Sequence, residues 1–223
     1  MKKEEFVRNA FERIARRYDL ANTVLSFGLD KVWRRRTVKA LGERDLVLDL
    51  CAGTLNLSEA YREYFNGKIL ALDFSLGMLK VGKKKPLKDV YPICGDALRM
   101  PFREESFDGV MMAFGLRNFS QMDKGLREIH RVLKKGGKLV ILEFKRPQGL
   151  FGAFYKLYLK RILPFVGGLI TRDQEAYLYL ANSISAFPKT EEILDKLSLL
   201  GFIDLKCGLL SFGICALYEG IKA

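Results

Sequence analysis

LDLCAGTLNLS (residues 48–58) is the stretch that decides the fold. An apolar run ends at Leu50, a turn with one glycine follows, and helical spacing begins, which is typical of the first strand, turn and helix of a nucleotide-binding α/β protein. Asp49 lies near the end of the strand, and Gly53 and Thr54 lie where a helix N-terminus offers free backbone N–H groups. Such turns usually contain two or three glycines, so the single Gly53 restricts which nucleotide can bind.

The rest of the chain from residue 46 alternates short apolar runs with helical patterns, which is typical of parallel strands joined by crossover helices. The last residues read as two strands around a turn, so they predict an antiparallel edge hairpin. Together they predict a mostly parallel, seven-stranded sheet. The predicted strands are 46–50, 68–73, 90–95, 107–114 and 137–144, with the hairpin in 202–222 and helices in 57–65, 75–84 and 121–137, the last ending in lysines and a glycine pair.

The length of 223 residues fits a single domain, which we expect to span 1–223. Two segments fall outside the alternating core. Residues 1–40 have helical apolar spacing and predict a helical N-terminal cap. Residues 148–190 form an insertion between the fifth strand and the next helix, and we expect them to form a helical lid.

Charge and cysteine content restrict the function classes. The formal net charge of +12 favours anionic partners, whether nucleic acid, lipid headgroups or an acidic cofactor. The four cysteines show neither C-x-x-C spacing nor a Cys/His cluster, so we predict reduced thiols and no metal site. Residues 1–20 lack the apolar core of a secretion signal. We therefore expect a cytoplasmic protein, at the inner face of the membrane if it contacts lipid.

The insertion contains GLFGAFYKLYLKRILPFVGGLI (residues 149–170). Its lysines and arginine interrupt it too often for a membrane span, yet it is apolar and basic enough to lie on a membrane surface. Three interpretations stay open: a lid over an apolar substrate, a peripheral membrane contact, and a buried helix pair whose lysines extend to water.

Acidic residues lie at the carboxyl ends of three consecutive predicted strands, at Asp49, Asp73 and Asp96. Asp73 comes 24 residues after Asp49, close to the ~20 residues expected for a carboxylate that accepts hydrogen bonds from ribose hydroxyls. Asp96 would meet an adenine amino group. A pyrophosphate cofactor needs the close approach that three glycines allow, whereas S-adenosylmethionine is cationic and suits an acid-lined turn. The alternative is that these aspartates only cap helices.

Five stretches of the chain carry a specific resemblance: YDLANTVLSFGLDKVWRR (18–35), VLDLCAGTLNL (47–57), MPFREESFDGVMMAFGLRNF (100–119), EIHRVLKKGGKLVILEFKRP (128–147) and YLYLANSI (177–184). FGLRN (114–118) with RVLKKGG (131–137) is the most specific feature. The stretches resemble the family of ubiquinone/menaquinone biosynthesis C-methyltransferases. The resemblance implies a Rossmann-like class I methyltransferase fold, S-adenosylmethionine as the donor and a prenylated quinol as the acceptor.

By the same resemblance, Arg117 and Asn118 would face the acceptor. The candidate donor-binding residues are Asp49, Gly53, Thr54, Asp73, Met78, Asp96 and Ala97.

The chain departs from the family pattern in the donor loop, where Ala52, Leu55 and Asn56 replace two glycines and an aspartate. Asp30 likewise replaces a common histidine. We expect the Leu55 side chain to stand where backbone usually approaches the methionine part of the donor, and so to weaken donor binding.

Methylating a ring carbon of a quinol requires an ionised hydroxyl, and a phenol titrates near 10. We expect Arg117 to be the fixed cation that lowers this pKa. The base would be a water molecule or the carboxylate of Glu143, and Tyr177 would orient the quinol oxygen. Arg117 could instead make only a structural ion pair.

Two other functions stay open. An RNA or other small-molecule methyltransferase would draw on the positive charge, but nucleic acid is disfavoured because only VWRRR (32–36) combines basic residues with an aromatic one. A donor-binding quinone-pathway subunit with weakened catalysis would draw on the altered loop. Whether the protein is a monomer or a homodimer also stays open.

Overall fold

A computed structural model describes residues 3–147 and 149–223 and shows a seven-stranded sheet. The strand order is β3-β2-β1-β4-β5-β7-β6, with the first five strands parallel and β7 antiparallel to both β5 and β6. This confirms the predicted fold class. The strands are β1 (Leu46–Leu50), β2 (Lys68–Asp73), β3 (Val90–Cys94), β4 (Phe107–Ala113), β5 (Leu133–Phe144), β6 (Phe202–Leu210) and β7 (Cys215–Lys222).

Helices cover both faces of the sheet because the strands are apolar on both sides. One buried cluster packs α6 and α10 against the sheet, and a second packs α3 and α4 against the opposite face. The helices are α1 (Lys3–Ile14), α2 (Tyr18–Leu25), α3 (Leu29–Leu41), α4 (Asn56–Arg62), α5 (Leu76–Gly82), α6 (Met122–Val132), α7 (Gly149–Leu157), α8 (Leu163–Thr171), α9 (Gln174–Ser185) and α10 (Thr190–Leu199), with a π-helical turn at Tyr158–Ile162.

The predicted helix over 121–137 is too long, because α6 ends at Val132. The backbone N–H groups of Glu105 and Ser106 donate to the carbonyls of Arg131 and Val132, which satisfies the last turn from outside the helix. Leu133 then pairs with Phe107 and opens β5. The lysine and glycine residues that suggested a helix end therefore form the start of a strand.

The N-terminal helices and the insertion pack on each other through a third apolar cluster. Ala10 and Ile14 of α1 and Ala21 of α2 contribute from the N-terminal segment, and residues of α7, α8 and α9 contribute from the insertion. We call α1, α2 and α7–α9 the cap. Its outer face keeps large apolar side chains exposed, so the insertion is not simply a buried helix pair. Within residues 3–147 and 149–223, the helices are too short or too polar to cross a membrane.

Candidate active site

Two cavities meet between the cap and the carboxyl ends of the strands. The first, about 80 Å³, is bordered by Glu4, Asp73 and Asp96, and we call it the acid-lined cavity. The second, about 340 Å³, is walled mainly by aromatic and aliphatic residues of the cap, α3, the turn after β4 and the end of β5, and we call it the apolar cavity. Its volume is within the range of small-molecule sites, about 300–1,000 Å³. Phe11, Tyr18 and Phe114 line both cavities.

The loop after β1 forms one side of the acid-lined cavity. Gly53 has φ +54°, and its N–H donates to Asp73 Oδ2 at 2.8 Å. A Cβ on Gly53 would lie 3.3 Å from Met78 Cε, so glycine leaves room that a side chain would fill. Asp73 Oδ1 accepts from the Ser75 N–H at 2.8 Å. Burial raises the pKa of Asp73 to about 6.

Leu55 does not enter the cavity, which corrects the expectation that it crowds the donor. The residue has φ +63° and is 2% exposed, with its side chain in the cluster beneath α3 and α4. Gly82 of α5 makes this placement possible, because a Cβ there would lie 2.5 Å from Leu55 Cγ. The left-handed backbone and the missing side chain at position 82 together turn Leu55 away from the site.

Asp49 and Thr54 also lie outside both cavities. Asp49 Oδ2 accepts from the Ser58 N–H at 3.0 Å and from its hydroxyl at 2.5 Å, so Asp49 holds the first turn of α4. Burial raises the pKa of Asp49 to about 7. Thr54 Oγ1 donates to Asp19 Oδ1 at 2.5 Å, which ties the loop to α2. Both residues support the loop and border neither cavity.

Three other predicted donor-site residues do border the acid-lined cavity: Met78, Asp96 and Ala97. Asp96 is exposed, and its Oδ1 accepts from the Leu98 N–H at 2.8 Å, which fixes the turn after β3. The structure therefore brings Gly53, Asp73, Met78, Asp96 and Ala97 together.

Arg117 borders the apolar cavity in the turn after β4. Its Nη1 donates to Glu143 Oε1 at 2.8 Å and to the Phe114 carbonyl, whereas its Nε has no hydrogen-bond partner among the described residues. Glu143 is fully buried and also accepts from the backbone N–H groups of Arg117 and Phe144. Glu143 lies outside both cavities, so the structure does not place it to accept a proton from a ligand there.

Asn118 and Tyr179 connect the two cavities. Asn118 borders the acid-lined cavity, Tyr179 borders the apolar cavity, and the Tyr179 hydroxyl donates to Asn118 Oδ1 at 3.2 Å. Tyr177 also borders the apolar cavity, but its buried hydroxyl has no partner within the described part of the chain. Burial raises the pKa of both tyrosines, so both hydroxyls stay protonated at neutral pH.

The sequence interpretation missed Tyr179, Glu12 and Tyr18. Glu12 Oε1 accepts from Ser75 Oγ and from the Gly77 N–H, both at 2.9 Å, and so connects α1 to the loop after β2. The helical spacing of residues 1–40 predicted this helix but not which strand end it covers. Tyr179 could have been found in YLYLANSI, where it is two residues from Tyr177.

The geometry suits two different ligands that react with each other. Carboxylates along the smaller cavity favour a cation, and the aromatic walls of the larger one favour a lipid-like molecule. In the wall of the larger cavity, the buried Arg117 guanidinium can stabilise developing negative charge.

The comparisons with known proteins agree with this geometry. Demethylmenaquinone methyltransferase of Corynebacterium glutamicum (strain R) is 43% identical over 221 residues, covering 97% of this chain and 94% of that protein. The enzyme of the same name from Thermus thermophilus is 42% identical over 217 residues, covering 94% of this chain and 98% of that protein.

Two solved structures share the fold. A SAM-dependent methyltransferase from Thermotoga maritima superposes with a TM-score of 0.71 at 21% identity, covering 97% of this chain and all of that one. Phosphoethanolamine N-methyltransferase 2 of Haemonchus contortus, in complex with S-adenosyl-L-methionine, gives 0.64 at 18% identity, covering 85% of this chain and 52% of that one. A sequence model of the ubiE/COQ5 methyltransferase family matches residues 1–222, and the chain belongs to that family.

Proposed function

We propose that this protein transfers a methyl group from S-adenosylmethionine to a ring carbon of a prenylated quinol, with the naphthoquinol demethylmenaquinol as the favoured acceptor. The observation that carries the proposal is the meeting of an acid-lined and an apolar cavity at Phe11, Tyr18 and Phe114. A cationic donor and a lipid-like acceptor need cavities of these two kinds in contact. The relatives' name favours a naphthoquinol over a benzoquinol.

The acid-lined cavity suits the donor. When bound, S-adenosylmethionine supplies a methyl group on a positively charged sulfur. In this proposal Asp73 accepts hydrogen bonds from the ribose hydroxyls, and Asp96 and Ala97 contact the adenine. Gly53 and Met78 complete the wall, while Asp49 and Thr54 act only by holding the loop.

Arg117 makes the acceptor carbon nucleophilic. At neutral pH about one phenol in a thousand is ionised, a deficit of roughly 4 kcal/mol at about 1.4 kcal/mol per pKa unit. A cation beside the oxygen lowers a phenol pKa by ~1 to 3 units. Arg117 lines the apolar cavity where that oxygen would lie, and the Glu143 ion pair holds the guanidinium in place.

Proton removal falls to water in this proposal. Arg117 keeps its proton at any physiological pH, and Glu143 is enclosed by three N–H donors outside the cavities. The Tyr179–Asn118 pair orients the quinol ring at the junction, and Tyr177, whose hydroxyl is buried, lines the apolar wall beside the ring. Alignment of the reacting atoms, with water kept from the carbon, supplies the rest.

The acceptor enters from a membrane surface. Phe27 and Phe154 line the apolar cavity and are 86% and 65% exposed, so they mark its opening. Phe212, 89% exposed, contacts Phe151 of the same wall with ring centroids 5.6 Å apart. Exposed Lys31 and Lys156 neighbour these aromatics along the chain. An apolar rim with nearby cations suits peripheral binding to anionic lipid, at the inner face of the membrane.

Methyl transfer to defined quinols tests the function. The purified protein, incubated with S-adenosylmethionine labelled in its methyl group and reduced demethylmenaquinone in detergent micelles, should yield labelled menaquinol. A benzoquinol acceptor with the same tail, tested in parallel, decides the ring specificity. If neither quinol becomes labelled while calorimetry shows that the donor still binds, the proposed function is contradicted.

Replacing Arg117 with Ala tests its role. The variant should bind the donor as the wild type does, because Arg117 does not line the acid-lined cavity. Its turnover should fall by about a hundredfold or more, as expected for removing a charge-stabilising donor. Arg117→Lys should recover part of the loss. Unchanged turnover in Arg117→Ala would refute the assignment.

A further inference from the structure

Arg34 of α3 is a second buried guanidinium at the apolar cavity. It is 7% exposed and lines that cavity together with Asp30 and Arg117, the other charged residues in its wall. Arg34 and Asp30 also border a polar cavity on the other side of α3, lined by Asp19, Glu59 and Lys85. Arg34 therefore lies in the partition between a polar and an apolar space.

The bonding of Arg34 is incomplete. Its Nε has no hydrogen-bond partner among the residues that the structure describes, and the nearest carboxylate oxygen, Asp30 Oδ2, is 3.9 Å away. Asp30 instead accepts from the Ser26 hydroxyl at 2.9 Å through Oδ1. A buried guanidinium without a hydrogen-bond partner is unfavourable. Arg34 lines the apolar cavity, so a ligand oxygen there would complete its bonding.

An aromatic pair connects Arg34 to Arg117. The Arg34 Cζ lies 5.4 Å from the Phe114 ring centroid, and the Arg117 Cζ lies 5.4 Å from that of Phe144. The two rings are stacked on each other, with centroids 4.3 Å apart. Two guanidiniums, each with an unpaired Nε, therefore contact one stacked pair in the wall of one cavity.

A para-quinol has an oxygen at each end of its ring, and Arg117 accounts for one. We propose that Arg34 donates a hydrogen bond to the second oxygen. This rests on the proposed function and deepens it, because two cations fix both ends of the ring and so select which carbon faces the donor. Arg34 transfers no proton, and the second hydroxyl stays neutral. The site therefore prefers 1,4-dihydroxy rings to monohydroxy rings.

Two enzymes assayed with two acceptors test the proposal. The acceptors are a prenylated 1,4-naphthalenediol and the matching 1-naphthol without the 4-oxygen, assayed with the wild type and with Arg34→Gln. Removing the oxygen also lowers the intrinsic reactivity of the ring, but that loss is common to both enzymes and cancels. The diol-to-naphthol ratio of kcat/KM should be about ten- to a hundredfold higher in the wild type, as expected for a hydrogen bond to a charged group.

Arg35→Gln is the matched control, because Arg35 is exposed on the same helix and pairs with Glu63 at 2.9 Å. It should keep the wild-type ratio. Arg34→Lys, which keeps the charge, should recover part of the ratio and serves if Arg34→Gln does not fold. Equal ratios in the wild type and an active Arg34 variant would overturn the role of Arg34. A wild type inactive on both acceptors would overturn the proposed function itself, and the role of Arg34 with it.

Discussion

Several non-glycine residues in and beside the proposed site have left-handed backbone. Cys51 and Phe114 line the acid-lined cavity with φ +58° and +61°, and Leu55 has φ +63° in the same loop. Such conformations cost about 1–3 kcal/mol each and persist where the surrounding structure enforces them. Here they turn the chain at the ends of β1 and β4, which brings the loop after β1 and the turn that carries Arg117 to one edge of the sheet.

The left-handed backbone of Leu55 predicts that its glycine variant is more stable than its alanine variant. Leu55→Ala should lower the free energy of unfolding by about 2–5 kcal/mol, because a buried side chain is lost. Leu55→Gly loses the same contacts but relieves the left-handed strain, so it should be more stable than Leu55→Ala by about 1 kcal/mol. Urea unfolding of both variants measures the difference.

Leu57, buried in α4 without a positive φ, is the matched control. There the glycine variant should be the less stable by about 1 kcal/mol. The same order at both positions would show that the backbone of Leu55 is not strained. Donor affinity should change little in Leu55→Ala, because the side chain points away from the cavity.

Asp73 predicts how donor affinity depends on pH. Its pKa is raised to about 6 by burial, so in the free protein it is ionised at pH 7.5 and mostly protonated at pH 5. Only the ionised form accepts two hydroxyl donors. Affinity for S-adenosylmethionine should therefore fall below pH 6, approaching tenfold per pH unit. Calorimetry between pH 5 and 8 measures this, and the slope should persist in Asp96→Asn and vanish in Asp73→Asn. A flat wild-type profile would contradict the role of Asp73.

At the scale of elements, apolar runs predicted the sheet well and the ends of elements less well. β1 and β2 begin and end where the sequence predicts, because their runs are bounded by charged or turn-forming residues. α6 was overextended, since lysines and glycines suit a helix end and a strand start equally. The residues of the acid-lined cavity that lie at or just after strand ends, such as Asp73 and Asp96, could be predicted from the sequence. Glu12, 63 residues from its partner Ser75, and Arg34 depend on the packing of helices that sequence spacing does not determine.

The ion pair between Glu143 of β5 and Arg117 of the turn after β4 predicts that substitutions at these two residues have strongly coupled effects on stability. Glu143→Ala leaves the buried Arg117 charge without its carboxylate and should cost about 3–5 kcal/mol. Arg117→Ala should also destabilise, because Glu143 is fully buried. The double variant should lose less than the sum of the single losses by about 2 kcal/mol or more, measured by urea unfolding. Additive losses would mean that the pair does not anchor the turn.

At the scale of the whole molecule, the cap has an inner and an outer role. Its inner face closes both cavities through Phe11 and Tyr18, and its outer face keeps apolar residues exposed near the opening. In the function proposed above, a membrane-bound acceptor enters the apolar cavity without crossing water, and the acid-lined cavity takes its ligand from solution. The net charge of +12 adds attraction to anionic lipid.

This arrangement predicts that membrane binding and catalysis can be separated by mutation. Replacing Phe27, Phe154 and Phe212 with Ser should weaken binding to phosphatidylglycerol vesicles by about tenfold or more, because the apolar area available for insertion is lost. KM for a vesicle-embedded quinol should rise in parallel, while kcat/KM for a short-tailed, water-soluble quinol stays within about twofold. Vesicle co-sedimentation and the methyl-transfer assay measure the two effects. Leu199→Ser, at an 88% exposed position in the last turn of α10, is the control and should change neither. If the triple variant binds vesicles as the wild type does, the opening of the apolar cavity is not the membrane contact.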